Sequence, residues 1–213
     1  MKHSWLNLGL YMCVSASAFG AVADPIFVAG FGAEPAALSG ITAGHNSVRA
    51  GVGVAPLFWD EKLAASAQAW ANQCVDVVPP NGLIDHNPNR SVGFPFYVGE
   101  NIFASGGTAT ALQAVQNWAA EAANYDYATN TCNGVCGHYT QVVWRSSMRL
   151  GCAISFCANL QFSSSIVCDY GPGGNTGGPP YRASDRGVVA SSALHAARVR
   201  RVTRHRAASS PSR

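Results

Sequence analysis

The chain has 213 residues, enough for one domain with flanking segments, and a formal net charge of +3. Hydrophobic residues make up 48% and charged residues 12%, a composition that excludes a wholly disordered chain. Residues 24–181 carry five Lys/Arg against ten Asp/Glu, whereas residues 182–213 carry eight Arg against one Asp. The sequence therefore predicts a mildly acidic body followed by a strongly basic tail.

The first 23 residues have the pattern of a secretory signal peptide. Lys2 and His3 precede an apolar run over Leu6 to Ala18 that is too short to span a bilayer. Ala21-Val22-Ala23 then fits the small-x-small cleavage pattern. We therefore predict a secreted, extracellular protein, with the periplasm or cell wall as further destinations. The alternative is a short N-terminal anchor that stays attached.

Cysteine usage agrees with export. Cys13 lies inside the signal peptide and leaves an even set of six, which predicts three disulfides in an oxidising compartment. Their spacing leaves all 15 pairings open. A zinc finger is disfavoured because no Cys-x2-Cys pair occurs. The six are Cys74, Cys132, Cys136, Cys152, Cys157 and Cys168.

Three helices are predicted in the first part of the chain, after a leader over residues 24–38. The first runs from Ser39, as N-cap, toward Arg49. The second follows Asp60 as its cap, with Leu63, Ala67 and Trp70 as an apolar stripe. The third covers residues 110–125, and its expected apolar face is Leu112, Val115, Trp118 and Ala122.

The remaining segments indicate strands, a loop and a tail. Residues 150–156 and 161–170 have strand character, and Gly and Pro dominate residues 171–180. Residues 182–213 lack an apolar period, which predicts a basic disordered tail. Interleaved helices and strands without repeated parallel crossovers predict an α+β or α–β–α layered domain.

Two motifs near the end of the domain resemble the signatures of the CAP superfamily (cysteine-rich secretory proteins, antigen 5 and pathogenesis-related proteins; the SCP domain). Residues 137–144 read GHYTQVVW, and residues 168–175 read CDYGPGGN before Pro180-Tyr181. Asn46-x-x-Arg49, Leu57-x-Trp59-Asp60 and Gly99-Glu100-Asn101 also match the family pattern. Residues 130–152 look especially like plant pathogenesis-related class 1 proteins. The likeness assigns residues 39–181 to one CAP domain.

This resemblance implies a three-layer α–β–α sandwich around a small, three-stranded antiparallel sheet. It also implies the disulfides Cys74–Cys157, Cys132–Cys136 and Cys152–Cys168. The family's cleft residues correspond here to His86, Glu100, Glu121 and His138. There are three departures. Asp169 stands where the family usually has Asn, the segment between Asn175 and Pro180-Tyr181 looks one residue shorter than the plant pattern, and the segment from Asn87 to Val98 is longer and more aromatic than usual.

Two neutral imidazoles can hold a divalent metal, so the cleft is a candidate site for Zn²⁺ or another divalent ion, although no cofactor is required. Glu100 and Glu121 would serve either as further ligands or as acceptors that orient each ring. The alternative is a purely structural network of two His–Glu pairs. No catalytic residue is assigned.

A second candidate site is an aromatic loop formed by Phe94, Phe96 and Tyr97, which suits either core packing or contact with an apolar ligand. Because the family recurrently binds sterols and fatty acids, the sequence predicts a monomeric, non-enzymatic binding module with a defence- or host-interaction-like role. Its expected partner is such a ligand, or a membrane or wall surface.

Two other functions stay open. One is a metal-dependent hydrolase that uses His86 and His138. The other is a wall- or host-directed interaction protein that acts through its surface and basic tail. No aromatic residue interleaves the arginines between Arg198 and Arg206, so no specific nucleic-acid partner is predicted.

Overall fold

The computed structural model describes residues 33–182. The signal peptide, residues 24–32 of the leader and the basic tail beyond Arg182 lie outside the described residues, so these three predictions remain predictions. Among residues 33–182, no helix combines the length and the hydropathy needed to cross a membrane. The helices are α1 (Ile41–Gly51), α2 (Glu61–Ala71), α3 (Ala111–Ala120) and α4 (Gly137–Val142). The strands are β1 (Phe58–Trp59), β2 (Gly99–Ser105), β3 (Tyr125–Asp126), β4 (Thr131–Cys132), β5 (Arg149–Phe156) and β6 (Ser164–Gly171).

The main sheet has the strand order β1-β5-β6-β2. Its three long strands are antiparallel, as the family resemblance implied. The two-residue strand β1 adds a short parallel pairing to β5. Strands β3 and β4 form a separate two-stranded ribbon between α3 and α4. The sheet therefore ends in β2, the strand that carries Glu100.

Two of the three predicted helix starts are confirmed by their caps. The carboxylate of Asp60 accepts the N–H groups of Lys62 and Leu63, both at 3.0 Å. Thr110 and Gln113 form a reciprocal capping box at the start of α3. The α-helix that follows ends at Ala120, and a 3-10 turn over Glu121–Asn124 completes the predicted segment.

The predicted cap at Ser39 is wrong. The N-cap of α1 is Gly40, whose φ of +87° lies in the left-handed region that glycine tolerates best. The carboxylate of Glu34, outside the helix, accepts the N–H groups of Gly40 and Thr42 at 2.7 Å each. A side chain six residues upstream therefore replaces the local cap, which local sequence patterns do not reveal.

The sheet separates two hydrophobic cores, which makes the domain the expected α–β–α sandwich. On β6, Ile166 and Cys168 contribute to the larger core with α1, α3 and α4. Val167 contributes to a smaller core with α2 and Ile84. This alternation follows from the two-residue period of a strand. Leu112, expected in the core, is instead 65% exposed.

Three disulfides join the pairs that the family resemblance implied. Cys74–Cys157 links the end of α2 to the end of β5 across a sequence separation of 83 residues. Cys152–Cys168 crosses directly between paired positions of β5 and β6. Cys132–Cys136 closes a separation of only four residues before α4. The first bond therefore ties the end of α2 to the sheet, and the second ties two neighbouring strands of the sheet to each other.

Candidate functional site

His86 and Glu100 form the first pair of the candidate site. Glu100 lies on β2, and its side chain is fully buried. Its Oε1 accepts hydrogen bonds from Nδ1 of His86 at 2.6 Å and from the backbone N–H of Asn87 at 3.0 Å. The His86 side chain is 57% exposed. The pair therefore places a buried carboxylate behind an imidazole that faces solvent.

His138 and Glu121 form the second pair. Oε1 of Glu121 accepts a hydrogen bond from Nδ1 of His138 at 2.6 Å. Oε2 of the same carboxylate accepts the backbone N–H groups of His138 and Tyr139 at 2.9 and 3.1 Å. The indole ring of Trp118 lies parallel to the His138 ring within 19°, with centroids 6.4 Å apart. Glu121 thus fixes both the first turn of α4 and the orientation of the imidazole.

These hydrogen bonds determine the tautomer of both histidines. An ionised carboxylate only accepts, so Nδ1 of each ring carries the proton. The Nε2 lone pairs of the neutral rings then point away from the carboxylates, and neither Nε2 has a hydrogen bond within residues 33–182. In that part of the chain, no three or more His, Cys, Asp or Glu side chains form a group that could hold a metal ion. The site therefore consists of two His–Glu pairs rather than one closed ligand cluster.

A buried hydrogen-bond network reaches His138 through the larger core, from α1 by way of β6 and β2. Nδ1 of His45 lies 2.7 Å from the Ile41 carbonyl, so it donates, and Nε2 accepts from the Tyr170 hydroxyl at 2.8 Å. Burial lowers the pKa of His45 to about 4, so the ring is neutral at physiological pH. Asn101 donates to the Tyr170 hydroxyl at 3.1 Å and to the His138 carbonyl at 3.0 Å.

Asp169 lies opposite Glu100 in the register of β2 and β6. It is fully buried, and Ser66 and Glu100 supply the side chains placed to hydrogen-bond with it. Burial, and next the negative charge of Glu100, raise the pKa of Asp169 to about 8. Asp169 is therefore neutral at pH 7, like the Asn that the family usually carries at this position.

Comparisons with known proteins identify the family to which this fold belongs. The profile of the CAP family, described as "Cysteine-rich secretory protein family", matches residues 42–170. The chain belongs to the CAP family. A pathogenesis-related protein 1 of Arabidopsis thaliana is 50% identical over 131 residues, which is 62% of this chain and 73% of that protein. Human GLIPR1-like protein 1 is 43% identical over 129 residues, 59% of this chain and 52% of that protein.

Solved CAP structures have the same fold. Venom allergen-like protein 4 of Schistosoma mansoni superimposes with a TM-score of 0.59 at 26% identity, covering 70% of this chain and 96% of that one. NaASP2, solved with Zn²⁺, gives a TM-score of 0.53 at 27% identity over 71% and 90% of the two chains. The CAP assignment makes the protein defence-related at the level of its family, whose described members are secretory.

The aromatic loop of this CAP domain packs over the second signature motif. Phe96 lies against Gly171, and the Tyr97 ring covers Gly173 so closely that neither glycine leaves room for a Cβ. Phe94 is half-buried beneath the Lys62 ammonium, which lies 4.7 Å from its ring centre and donates to the Gly93 carbonyl at 2.5 Å. The ligand-binding role of these aromatic residues stays a prediction.

The sequence motifs indicate the two histidines and the two glutamates but not the residues that support them. Asn101 and Tyr170 belong to the family motifs, yet the motifs alone assign them no role. Their function depends on which side of β2 and β6 each residue faces, and therefore on the register of the pairing. His45 has only one sequence signal, its helical spacing of four residues from Arg49.

Proposed function

We propose that this CAP protein is a secreted, non-enzymatic binding module that holds an exchangeable divalent cation, with Zn²⁺ as the first candidate. The observation that carries the proposal is the shared tautomer of His86 and His138. Each ring donates a hydrogen bond from Nδ1 to a glutamate. Its Nε2, a usual metal-binding atom, is left without a protein partner in the described residues. Two protein ligands leave positions open for water or a small ligand.

Glu100 and Glu121 act in this proposal as acceptors behind the ligands. A carboxylate that accepts from Nδ1 fixes the ring and raises the basicity of Nε2. Glu100 accepts a hydrogen bond from the His86 ring, and Asn101, the next residue of β2, donates to the His138 carbonyl, so both histidine segments are tied to the same edge strand. NaASP2, a CAP relative of known structure at 27% identity, was solved with Zn²⁺.

Calorimetric titration of Zn²⁺ into chelator-treated mature protein tests the proposal. We expect one ion per chain, with binding lost on His86→Ala or His138→Ala. Glu100→Gln and Glu121→Gln should weaken binding by about 10–100-fold. His195→Ala, in the basic tail, is the matched control and should change nothing. A double His86→Ala/His138→Ala variant that still binds with unchanged affinity would contradict the site, and a stoichiometry of two would contradict the single ion.

A second proposed function is binding of a sterol or fatty acid at the edge of the aromatic loop. The observation that favours it is the apolar surface left exposed there, with Val92 75% and Tyr97 47% accessible. Filter binding of labelled cholesterol and palmitate should detect binding that Val92→Ser/Tyr97→Ser reduces. Met148→Ser, at an equally exposed apolar position, is the control. Absence of binding to both ligand classes would remove this function.

Secretion is part of the proposal, because the signal-peptide pattern and the secretory relatives both support it. N-terminal sequencing of the protein recovered outside its source cell should begin at Asp24. Recovery of an unprocessed chain beginning at Met1 and held at the membrane would contradict the predicted cleavage.

A further inference from the structure

The loop between α2 and His86 exposes a compact apolar tip. Val77, Val78, Pro79 and Pro80 are consecutive exposed residues, and the two valines are 76% and 60% accessible. No charged residue occurs between Asp76 and Asp85, and no Lys or Arg occurs between Lys62 and Arg90. Four adjacent apolar residues that are exposed to solvent require an explanation, since contiguous apolar patches commonly mark interaction sites.

The backbone donors of this tip are already satisfied from within the loop. Oδ2 of Asp85 accepts the N–H groups of Val77 at 2.7 Å and Val78 at 3.1 Å. Pro79 and Pro80 have no N–H to satisfy. The four residues of the tip therefore present no free backbone N–H, and their carbonyls can stay hydrated if the tip inserts only to the level of the lipid headgroups.

Asp76, the acidic residue just before the tip, also accepts hydrogen bonds from within the loop. The carboxylate of Asp76 accepts from the Asn81 amide at 3.1 Å and from the Gly82 N–H at 2.8 Å. Both carboxylates that flank the tip are therefore engaged in hydrogen bonds within the loop, Asp76 at its base and Asp85 with the backbone of the two valines. The side chains at the tip itself are all apolar.

The base of the loop is bonded to the rest of the domain, which holds the two valines in their exposed position. The Cys74–Cys157 disulfide lies at its start, and the Trp70 indole donates to the Asp85 carbonyl at 2.7 Å. The Phe162 N–H donates to the Gly82 carbonyl at 2.8 Å, which joins the loop to the β5–β6 turn. That turn adds further apolar surface through Phe162, which is 37% exposed.

We propose that residues 77–80, with Phe162 beside them, insert into the interface of an electrically neutral lipid bilayer. A peptide strand that paired with this segment would need backbone N–H donors, which the tip does not offer, whereas an apolar medium needs none. The absence of Lys and Arg from residues 63–89 favours zwitterionic over anionic lipid. Because His86 follows Asp85 directly, insertion brings the histidine site to the membrane surface.

Flotation of the full mature protein with phosphatidylcholine vesicles tests this inference. We expect binding that Val77→Ser/Val78→Ser weakens about tenfold or more, since two valine side chains lose their burial in hydrocarbon. Leu112→Ser is the matched control, because Leu112 is a 65% exposed apolar residue on α3. It should leave binding unchanged. In Val78→Trp, the added indole should shift its emission to the blue and be quenched by brominated lipid.

Four results would overturn the inference. The first is no binding to phosphatidylcholine vesicles, and the second is equal weakening by the Leu112→Ser control. The third is binding only when phosphatidylserine is added and undiminished in the double-serine variant, which would assign membrane contact to the basic tail. The fourth is a Val78→Trp emission that vesicles leave unshifted. None of these results affects the Zn²⁺ titration, so the two proposals fail independently.

Discussion

The buried guanidinium of Arg49 connects the first helix to the segment that follows α4. Although a charge is costly to remove from water, this side chain is fully buried. Burial lowers its pKa to about 10, which still leaves it charged at physiological pH. Its four hydrogen bonds, all between 2.7 and 2.9 Å, go to the backbone carbonyls of Ala55, Val142, Trp144 and Ser147. The charge is therefore stabilised entirely by backbone dipoles.

Replacing this guanidinium should leave four carbonyls short of a donor. We expect Arg49→Met to lower the free energy of unfolding by about 3 kcal/mol or more, measured by urea denaturation. The control is Arg149→Met, which removes a 53% exposed partner of Asp60 and should cost under about 1 kcal/mol. Equal losses of unfolding free energy in the two variants would show that the buried hydrogen bonds of Arg49 contribute no more than an exposed ion pair.

The buried Asp169 should make stability depend on pH. Its pKa is about 8 in the folded protein and near 3.8 when unfolded, so the folded state holds the extra proton between these values. Its contribution to stability is fully present below pH 3.8 and is lost as pH rises through 8. We expect Asp169→Asn to exceed the wild type by about 1 kcal/mol or more at pH 8, with the difference vanishing toward pH 4.

Urea denaturation of both proteins from pH 4 to 8.5 measures this difference. Asp126→Asn is the control, because the Asp126 carboxylate is fully exposed and backbone hydrogen bonding to Ala128 lowers its pKa. That variant should show no gain at pH 8. A stability difference between Asp169→Asn and wild type that is the same at every pH would refute the assignment of a neutral Asp169.

At the scale of elements, α2 lies unusually close to the sheet. A Cβ at Gly151, on β5, would collide with the backbone at Leu63 and Ala64 of α2. Neither side of that contact can move without shifting a whole element. We therefore expect Gly151→Ala to destabilise the domain by about 3 kcal/mol or more, or to prevent folding.

Gly51→Ala is the matched control for this contact. Gly51 ends α1, and open space surrounds the position of its missing Cβ. Alanine there should leave the melting temperature unchanged or raise it slightly, because it favours the helix. If both substitutions lowered the melting temperature equally, close approach of α2 would not explain Gly151.

Local signals in the sequence predicted the elements well where the determinant was local. Asp60 and Thr110 are followed by the residues that their caps require, so both starts were predictable. The prediction for Ser39 was wrong because the acceptor that caps α1 is Glu34, which lies before the helix and is brought to its first turn by the intervening 3-10 turn. The prediction for Leu112 was wrong because the buried face of α3 consists of Ala111, Ala114, Val115 and Trp118, and Leu112 lies outside that face.

The candidate site was predictable only as a set of residue types. The motifs supplied the two histidines and the two glutamates, but not which atom pairs with which. The pairing of His86 with Glu100 depends on the path of a twelve-residue loop, and the burial of Asp169 beside Glu100 depends on strand register. Both are long-range properties that no local pattern contains.

At the scale of the whole molecule, the three disulfides differ in how much of the unfolded chain they constrain. Cys74–Cys157 closes a separation of 83 residues and fixes the base of the apolar tip. Cys132–Cys136 closes a separation of four residues next to the second His–Glu pair. Because the entropy removed from the unfolded state grows with the logarithm of loop length, the longer bond should contribute more stability.

Paired cysteine-to-alanine variants test this difference directly. We expect Cys74→Ala/Cys157→Ala to lower the free energy of unfolding by about 4–5 kcal/mol, and Cys132→Ala/Cys136→Ala by about 2 kcal/mol. Guanidinium denaturation of the two variants and the wild type gives both values. Removal of the Cys132–Cys136 bond should show mainly as weaker Zn²⁺ binding and less as lower stability, because the bond lies directly before α4 and His138. Equal destabilisation by the two variants would show that loop closure is not the main source of stability in this domain.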